Sequence, residues 1–390
     1  MEKRLYPLLL FLVTLIILTG CVETEDTEIT EDNGIELEEV AEGLDNPWSI
    51  EFVPETDHIL VTERPGDLAI VDESDGSVEY IEEGLPDVDN VGQGGMLDVE
   101  VHPEFSENDL VYLTYSSSNE EGVATHLGRG TLDIETMSLQ DFEVLHVAEP
   151  FVEGGSHFGS RITFDEDNYV YFTTGDRGDK DFGPEHVSQD LSNELGATIR
   201  LEDDGSIPED NPFYGEEYRE NAIYSYGHRN SQGMTTHPDT GKIWQSEHGE
   251  EDGDEINILE KGGNYGWPVT HYGCHYGTDE PVAEDPHENP DVVNPVFYWE
   301  CNTGGFPPAG ITFYTGEHEE WDGDLFVGGL ASRYLARFNI EETDDEIIVT
   351  EEEPLLEEQG WRVRDVEQNE ENLYVIIDDS PAPIVRLTPE

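Results

Sequence analysis

The sequence predicts an all-β fold, a six-bladed β-propeller with four-stranded antiparallel blades. Three observations predict it. One hairpin unit recurs six times, the recurrence is even along the chain, and no segment sustains a helical period of 3.6. Each unit is an apolar strand, a turn rich in Asp, Pro, Asn and Gly, and a second apolar strand with β-branched and aromatic bias. The first is WSIEFVPETDHILVTE from Trp48, and the second is MLDVEVHPEFSENDLVYLTY from Met96. The third is SRITFDEDNYVYFTTG from Ser160, and the fourth is GMTTHPDTGKIWQSEHG from Gly233. The fifth is GITFYTGEHEEWDGDLFVGG from Gly310, and the sixth is VRDVEQNEENLYVIIDD from Val363. The spacing leaves room for two outer strands per unit, so residues 36–390 are read as one domain. A two-sheet sandwich competes, but it has no reason to repeat one hairpin six times.

The charge balance bounds the partners. There are 92 Asp and Glu against 17 Lys and Arg, a formal net charge of −75. Such a surface repels nucleic acid and anionic lipid. Disorder is the other reading of acidity on this scale, but six Trp, 17 Tyr and 15 Phe lie among apolar strand-like runs. A folded protein from a halophilic source fits better, with counterions screening the carboxylates. Scarcity makes the arginines informative. Arg161, Arg177, Arg229, Arg362 and Arg364 all fall in glycine-rich or strand contexts.

The N-terminus reads MEKRLYPLLLFLVTLIILTGC. Lys3 and Arg4 precede an apolar run shorter than the about 20 residues of a membrane span. It ends in Leu18, Thr19, Gly20 and Cys21, the pattern of a lipoprotein signal, with an ordinary secretory signal as the alternative. Residues 1–20 are therefore expected to be a signal peptide, and residues 21–35 an acidic tether. The expected location is outside the cell, held to the outer face of the membrane only through lipid on Cys21. Cys274 and Cys301 remain, and whether they pair is open at this stage.

Propeller loops converge on a central channel, so polar segments from distant units can meet. GGSHFGSR and TTGDRGD bring His157, Arg161, Asp176 and Arg177. YGHRNSQG brings His228, Arg229, Asn230 and Gln232. EHGEEDGDEIN, residues 247–257, has the carboxylates and glycine turns of a calcium loop, without the twelve-residue spacing of a helix-loop-helix site. In GWRVRD, Arg362 and Arg364 are two apart, hence on one face of a strand, where a guanidinium can pair bidentately with a carboxylate. Pairing with neighbouring Asp and Glu is the structural alternative. His228 and His248 read equally well as satisfied core or loop histidines.

Taken in order, GQGGMLDVEVHPEF, SHFGSRITF, YFTTGDRGD, NELGATIRLEDDGSIPEDNPF, YGHRNSQG, EHG…GDEIN…GGNYGWP and RVRDV resemble the glucose/sorbosone dehydrogenase family. These are soluble aldose sugar dehydrogenases that use pyrroloquinoline quinone (PQQ). The resemblance implies a six-bladed propeller with quinone and calcium at the channel mouth, an aldose substrate and an external electron acceptor. It places His157 as general base on the anomeric hydroxyl and Asp176 as its supporting carboxylate. It places Gln93 against the cofactor, Arg229 and Asn230 at the reacting quinone edge, and Arg362 and Arg364 on the cofactor's carboxylates. The main-chain carbonyls of Gly249 and Glu250 match calcium ligands, with Glu247 and Asn257 as further candidates in the same loop. Arg161 is read as a lock on its loop.

The chain also departs from the family pattern. Ala331 and Ser332 stand where a cofactor-contacting lysine is frequent, leaving Arg333 as the only nearby substitute cation. Pro308, Ala309 and Gly310 replace a serine-containing turn, and Glu250 replaces a proline. Two other functions stay in view. A calcium-dependent sugar lactonase would need side-chain carboxylates from several blades at the channel centre. A non-catalytic cell-surface binding propeller would need no cofactor at all.

Overall fold

The computed structural model describes residues 30–389, apart from 33, 344–346 and 352–353. The expected signal peptide and Cys21 lie outside the described residues. Six antiparallel sheets follow one another along the chain. The first blade is Pro47–Phe52, His58–Glu63, Asp67–Asp72 and Val78–Tyr80. The second is Met96–Val101, Leu110–Ser118, Val123–Asp133 and Ser138–Val147. The third is Ile162–Phe164, Val170–Thr173, Ala197–Leu201 and Ile223–Tyr226. The fourth is Ser231–Thr236, Ile243–Glu247, Glu255–Ile258 and Phe297–Tyr298. The fifth is Pro308–Phe313, Leu325–Gly329, Leu335–Glu342 and Ile347–Glu351. Each of the six repeated hairpins supplies the first two strands of one blade.

The sixth blade closes the ring. Val363–Asn369, Asn372–Ile377 and Ala382–Pro389 are joined by Ile35–Leu44 from the other end of the chain, in a register that pairs Leu37 with Leu387 and Glu38 with Arg386. Thr30–Asp32 adds a short fifth strand, so pairing begins before residue 36, inside the segment expected to be a tether. The first strands of the six blades touch one another in ring order and form the channel wall.

Both faces of a blade pack on neighbours, so both alternating sets of side chains in its strands are apolar. Leu60 and Ile70 of the first blade meet Val99 and Leu113 of the second. Tyr112 and Leu127 meet Phe172 and Ile199, and Trp244 and Ile256 meet Phe313 and Val327. Phe326 and Leu335 meet Val366 and Val375, and Ile59 and Val61 meet Tyr374 and Ile376. The core is thus a set of wedges between blades, and the axis is left to polar residues.

Arg161 occupies that axis. Its Nε donates to the Gln232 carbonyl (3.0 Å). One terminal nitrogen donates to Asp98 and to Asp365, both at 2.9 Å. The guanidinium lies 4.6 Å from the Trp48 ring. It ties first strands of four blades together, which is a larger role than holding its own loop. Glu51, Glu100 and Glu367 line the channel next to it. Burial pushes their carboxyls up, Glu367 to about 8.

Candidate active site

Loops at one end of the channel enclose a cavity of about 520 Å³. Its wall includes Gln93, His157, Arg229, His248, Gly249, Glu250, Asp252, Asp254, Tyr276, Asn302 and Ala331. Strand pairing explains why these residues meet. His157 precedes the first strand of the third blade and Asp176 follows the second, and the Ser160–Thr173 pairing sets the two loops side by side. Likewise Ser231 pairs with Glu247 in the fourth blade, so Arg229 and Glu250 come together beyond the strand ends.

His157 has a left-handed backbone (φ 49°), a conformation costly for a residue with a Cβ and typical of sites where neighbours dictate it. A Cβ on Gly175 would collide with the His157 carbonyl, so glycine is required for this approach. The His157 N–H donates to Gln93 Oε1 (2.7 Å), and its Nδ1 lies 2.5 Å from Asp176 Oδ1. Asp176 also accepts from Trp267 Nε1 (2.9 Å) and from the Gly178 N–H (2.8 Å). Burial resists ionisation of Asp176, but the His157 hydrogen bond and the charges of His157 and Arg229 hold its carboxyl below the ordinary value. An ionised Asp176 makes Nδ1 the donor and leaves the lone pair on Nε2, the arrangement a general base needs.

Arg229 is buried, and its guanidinium donates to Glu250 Oε2 (2.8 Å) and lies 5.3 Å from the Trp267 ring. Glu250 also accepts from Lys180 Nζ at 2.7 Å on each oxygen. Asn230 is fully buried and outside the cavity wall. Its Oδ1 accepts from the Gly159 N–H (3.1 Å), and its amide approaches His248 Nδ1 (3.4 Å). His248 does line the cavity. Burial, then the Arg229 charge, pushes its pKa to about 3, so it is neutral and donates from Nε2 to the Pro308 carbonyl (2.7 Å). His228 is instead a satisfied core histidine, between Ser225 and Glu247 and stacked on Tyr265.

Glu247 and Asn257 do not reach the cavity. Glu247 Oε2 accepts the Arg229 N–H (2.8 Å). Its Oε1 takes His228 Nδ1 (2.8 Å) and Asn257 Nδ2 (3.0 Å). Its oxygens are committed to holding the Arg229 segment, whereas Asn257 Oδ1 is buried without a hydrogen-bond partner, and neither residue is on the wall that carries Gly249 and Glu250. In their place Asp252 and Asp254 line the same wall. Asp254 accepts from the Gly249 and Phe306 N–H groups, and burial pushes it up to about 6.

Arg362 and Arg364 both approach Asp378, Arg362 at 2.6 Å and Arg364 at 4.0 Å. They are not part of the cavity wall. Burial pushes the Asp378 carboxyl up, and the Arg364 and Arg362 guanidiniums bring it below its ordinary value. Asp365, one of the neighbouring carboxylates that the structural alternative would pair with Arg364, serves Arg161 instead. Arg364 donates to Gln232 Oε1 (2.9 Å). Its Nε, like that of Arg229, is buried without a hydrogen-bond partner. Arg333 donates to the Gly360 carbonyl (2.9 Å) and is not part of the cavity wall, so it does not replace the missing lysine.

Cys274 and Cys301 are joined, with Cα atoms 5.5 Å apart. The bridge ties the loop carrying Tyr276 to the loop carrying Asn302, both on the cavity wall. Tyr276, Asn302, His248, Asp254 and Lys180 were not singled out as site residues from sequence. His248 and Asp254, both in the EHGEEDGDEIN run, carried a signal that could have found them.

Comparisons with known proteins agree with this fold. The glucose/sorbosone dehydrogenase family model matches residues 44–386. The aldose sugar dehydrogenase YliI of Escherichia coli (strain K12) is 34% identical over 387 residues, 97% of this chain and 98% of that protein. The apo structure of the soluble aldose sugar dehydrogenase from Escherichia coli superposes with a TM-score of 0.84, covering 91% of this chain and 100% of that one. The PQQ-bound aldose sugar dehydrogenase from Streptomyces coelicolor gives 0.73 at 25% identity, covering 91% and 98%. With six four-stranded blades and a loop-built cavity at one channel end, the match over nearly the whole propeller leaves one assignment: this chain belongs to the glucose/sorbosone dehydrogenase family of oxidoreductases.

Proposed function

We propose that this chain oxidises the anomeric hydroxyl of an aldose to the lactone, using PQQ and calcium and passing electrons to an external acceptor. The observation that carries the reading is the His157–Asp176 pair opening on a cavity that Arg229 also lines. The donor chemistry fits an anionic cofactor. In a chain of net charge −75, the buried Nε atoms of Arg229 and Arg364 lack acceptors, as expected where carboxylates or quinone oxygens bind. Hard oxygen donors suit calcium. The carbonyls of Gly249 and Glu250 would hold it, with Asp252 and Asp254 on the same wall. Among the described residues no three His, Cys, Asp or Glu side chains form a metal cage, so the ligand's own oxygens would complete the shell.

When bound, the quinone supplies the acceptor for the hydride leaving C1. His157 Nε2 takes the proton of the C1 hydroxyl, while Nδ1–H stays on Asp176 Oδ1. Asp176 stabilises the imidazolium so formed. Gln93 fixes the peptide of His157, and Asn230 fixes the Gly159 turn behind it. Arg229, on the cavity wall, would supply positive charge to the quinone oxygens as their charge grows. Arg362 and Arg364 would pair with cofactor carboxylates. The lactonase reading loses support because Asp98 and Asp365, on the axis, are committed to Arg161, and Glu51, Glu100 and Glu367 beside them form no metal-holding group among the described residues.

The test is to mix apo protein with PQQ and calcium in molar salt, add aldoses and follow reduction of an artificial dye. Turnover is expected. Quinone uptake without turnover on any aldose would refute the substrate class, and no uptake would refute the cofactor. We also propose export with a lipid anchor on Cys21, which the Cys274–Cys301 disulfide supports by fitting an oxidising compartment. Cys21→Ser should release the protein from membranes, and an unchanged membrane fraction would refute the anchor.

A further inference from the structure

Residue 250 can offer a calcium ion its main-chain carbonyl whatever its side chain. The carboxylate it carries here is therefore a separate feature, and it is not idle. It is one-twentieth exposed and sits between two cations, Arg229 at 2.8 Å on the cavity floor and Lys180 at 2.7 Å toward solvent. Arg229 is itself buried, with a side chain 4% exposed, whereas Lys180 is 54% exposed. A buried carboxylate this close cancels much of the charge a guanidinium can present elsewhere. Lys180 works in the opposite sense, by drawing on the same carboxylate from outside.

We propose that Glu250 is a positioning residue that sets how much positive charge Arg229 presents to a ligand in the cavity, and that Lys180 counterbalances it. The inference rests on the quinone reading of the cavity. Reduction puts negative charge on the quinone oxygens, so the charge available at Arg229 decides how much more tightly the reduced form is held than the oxidised form. Glu250 lowers that preference and Lys180 raises it. The midpoint potential of the bound quinone is then adjustable by residues that never touch the reacting carbon.

The test is spectroelectrochemical titration of PQQ bound to wild type, Glu250→Gln and Lys180→Met, in excess calcium and fixed salt. Glutamine keeps the main-chain carbonyl and the side-chain volume while removing the charge. Glu250→Gln should raise the ratio of reduced to oxidised affinity about tenfold, which for a two-electron couple is a rise of about 30 mV. Lys180→Met should shift the potential the other way, by less, since a half-exposed ammonium is screened. Lys180→Met is a surface change, so it keeps the test open if Glu250→Gln misfolds. Equal potentials in wild type and variants, all with quinone bound, would overturn the inference and leave the quinone reading standing. Failure of wild type to take up quinone would overturn both.

Discussion

Arg364 separates a binding role from a structural one, because the two roles predict opposite effects of removing its charge. Its side chain is 8% exposed, and its nearest carboxylate, on Asp378, is 4.0 Å away and already taken by Arg362. Burial, only partly offset by Asp378, brings its pKa down to about 10 from 12.5. At 1.36 kcal/mol per unit, that difference is a cost of about 3 kcal/mol for keeping the charge in the apo protein. Arg364→Met removes the charge and most of the cost. It also loses the bond to Gln232 Oε1, worth roughly 1.5–3 kcal/mol. The apo melting temperature should therefore change by no more than a few degrees, in either direction. Quinone affinity should behave differently. A charge-assisted bond to a cofactor carboxylate is worth about 1.5–3 kcal/mol, so its loss weakens binding by roughly 10- to 150-fold. Calorimetry on the apo protein and a quinone titration followed by absorbance, both in calcium and molar salt, measure the two effects. A melting temperature many degrees lower with unchanged quinone affinity would refute the reasoning and make Arg364 a structural cation.

Three further outcomes are expected. His157→Ala should lower turnover by about 10²–10⁴ with the fold retained, and steady-state kinetics at saturating quinone with a circular dichroism spectrum checks both. Glu367→Gln should stabilise the protein at pH 8 and leave it unchanged near pH 4. The folded carboxyl titrates near 8 against 4.5 when unfolded, so wild-type stability falls as pH rises between those values. Asp176 and Asp378 act in the opposite sense. Held below 3.8, they contribute stability that is lost as pH falls past their folded values, so denaturant melts across pH 2–9 should show both limbs. Finally, melting temperature should climb steeply from dilute buffer to molar salt, because screening length shrinks from roughly 30 Å at 0.01 M to about 3 Å at 1 M. A flat profile would count against halophilic adaptation.

Apolar strands with β-branched and aromatic bias, turn chemistry and the sixfold recurrence are local properties, and they were enough to determine the blade count and the hairpin in each blade. The roles of His157 and Asp176 came from the family resemblance, and the fold brings the two together because the strands between them form one hairpin whose open ends meet. Ring closure was beyond local reading. On one edge Ile35–Leu44 takes the short neighbouring strand Thr30–Asp32, but its blade partner is remote in sequence, and only the curvature of five preceding blades brings Ala382–Pro389 beside it. The pairing of charges was beyond it too. With 92 acidic residues available, proximity offered Asp365 or Glu367 as the structural alternative for Arg364, and the family resemblance offered Glu247 as a further metal candidate. The fold instead gives Asp365 to Arg161 across the channel, Asp378 to Arg362, and Glu247 to His228, Asn257 and the Arg229 peptide. Which carboxylate answers which buried cation depends on distances of a few ångströms between blades far apart in sequence, because desolvated charge tolerates no looser match.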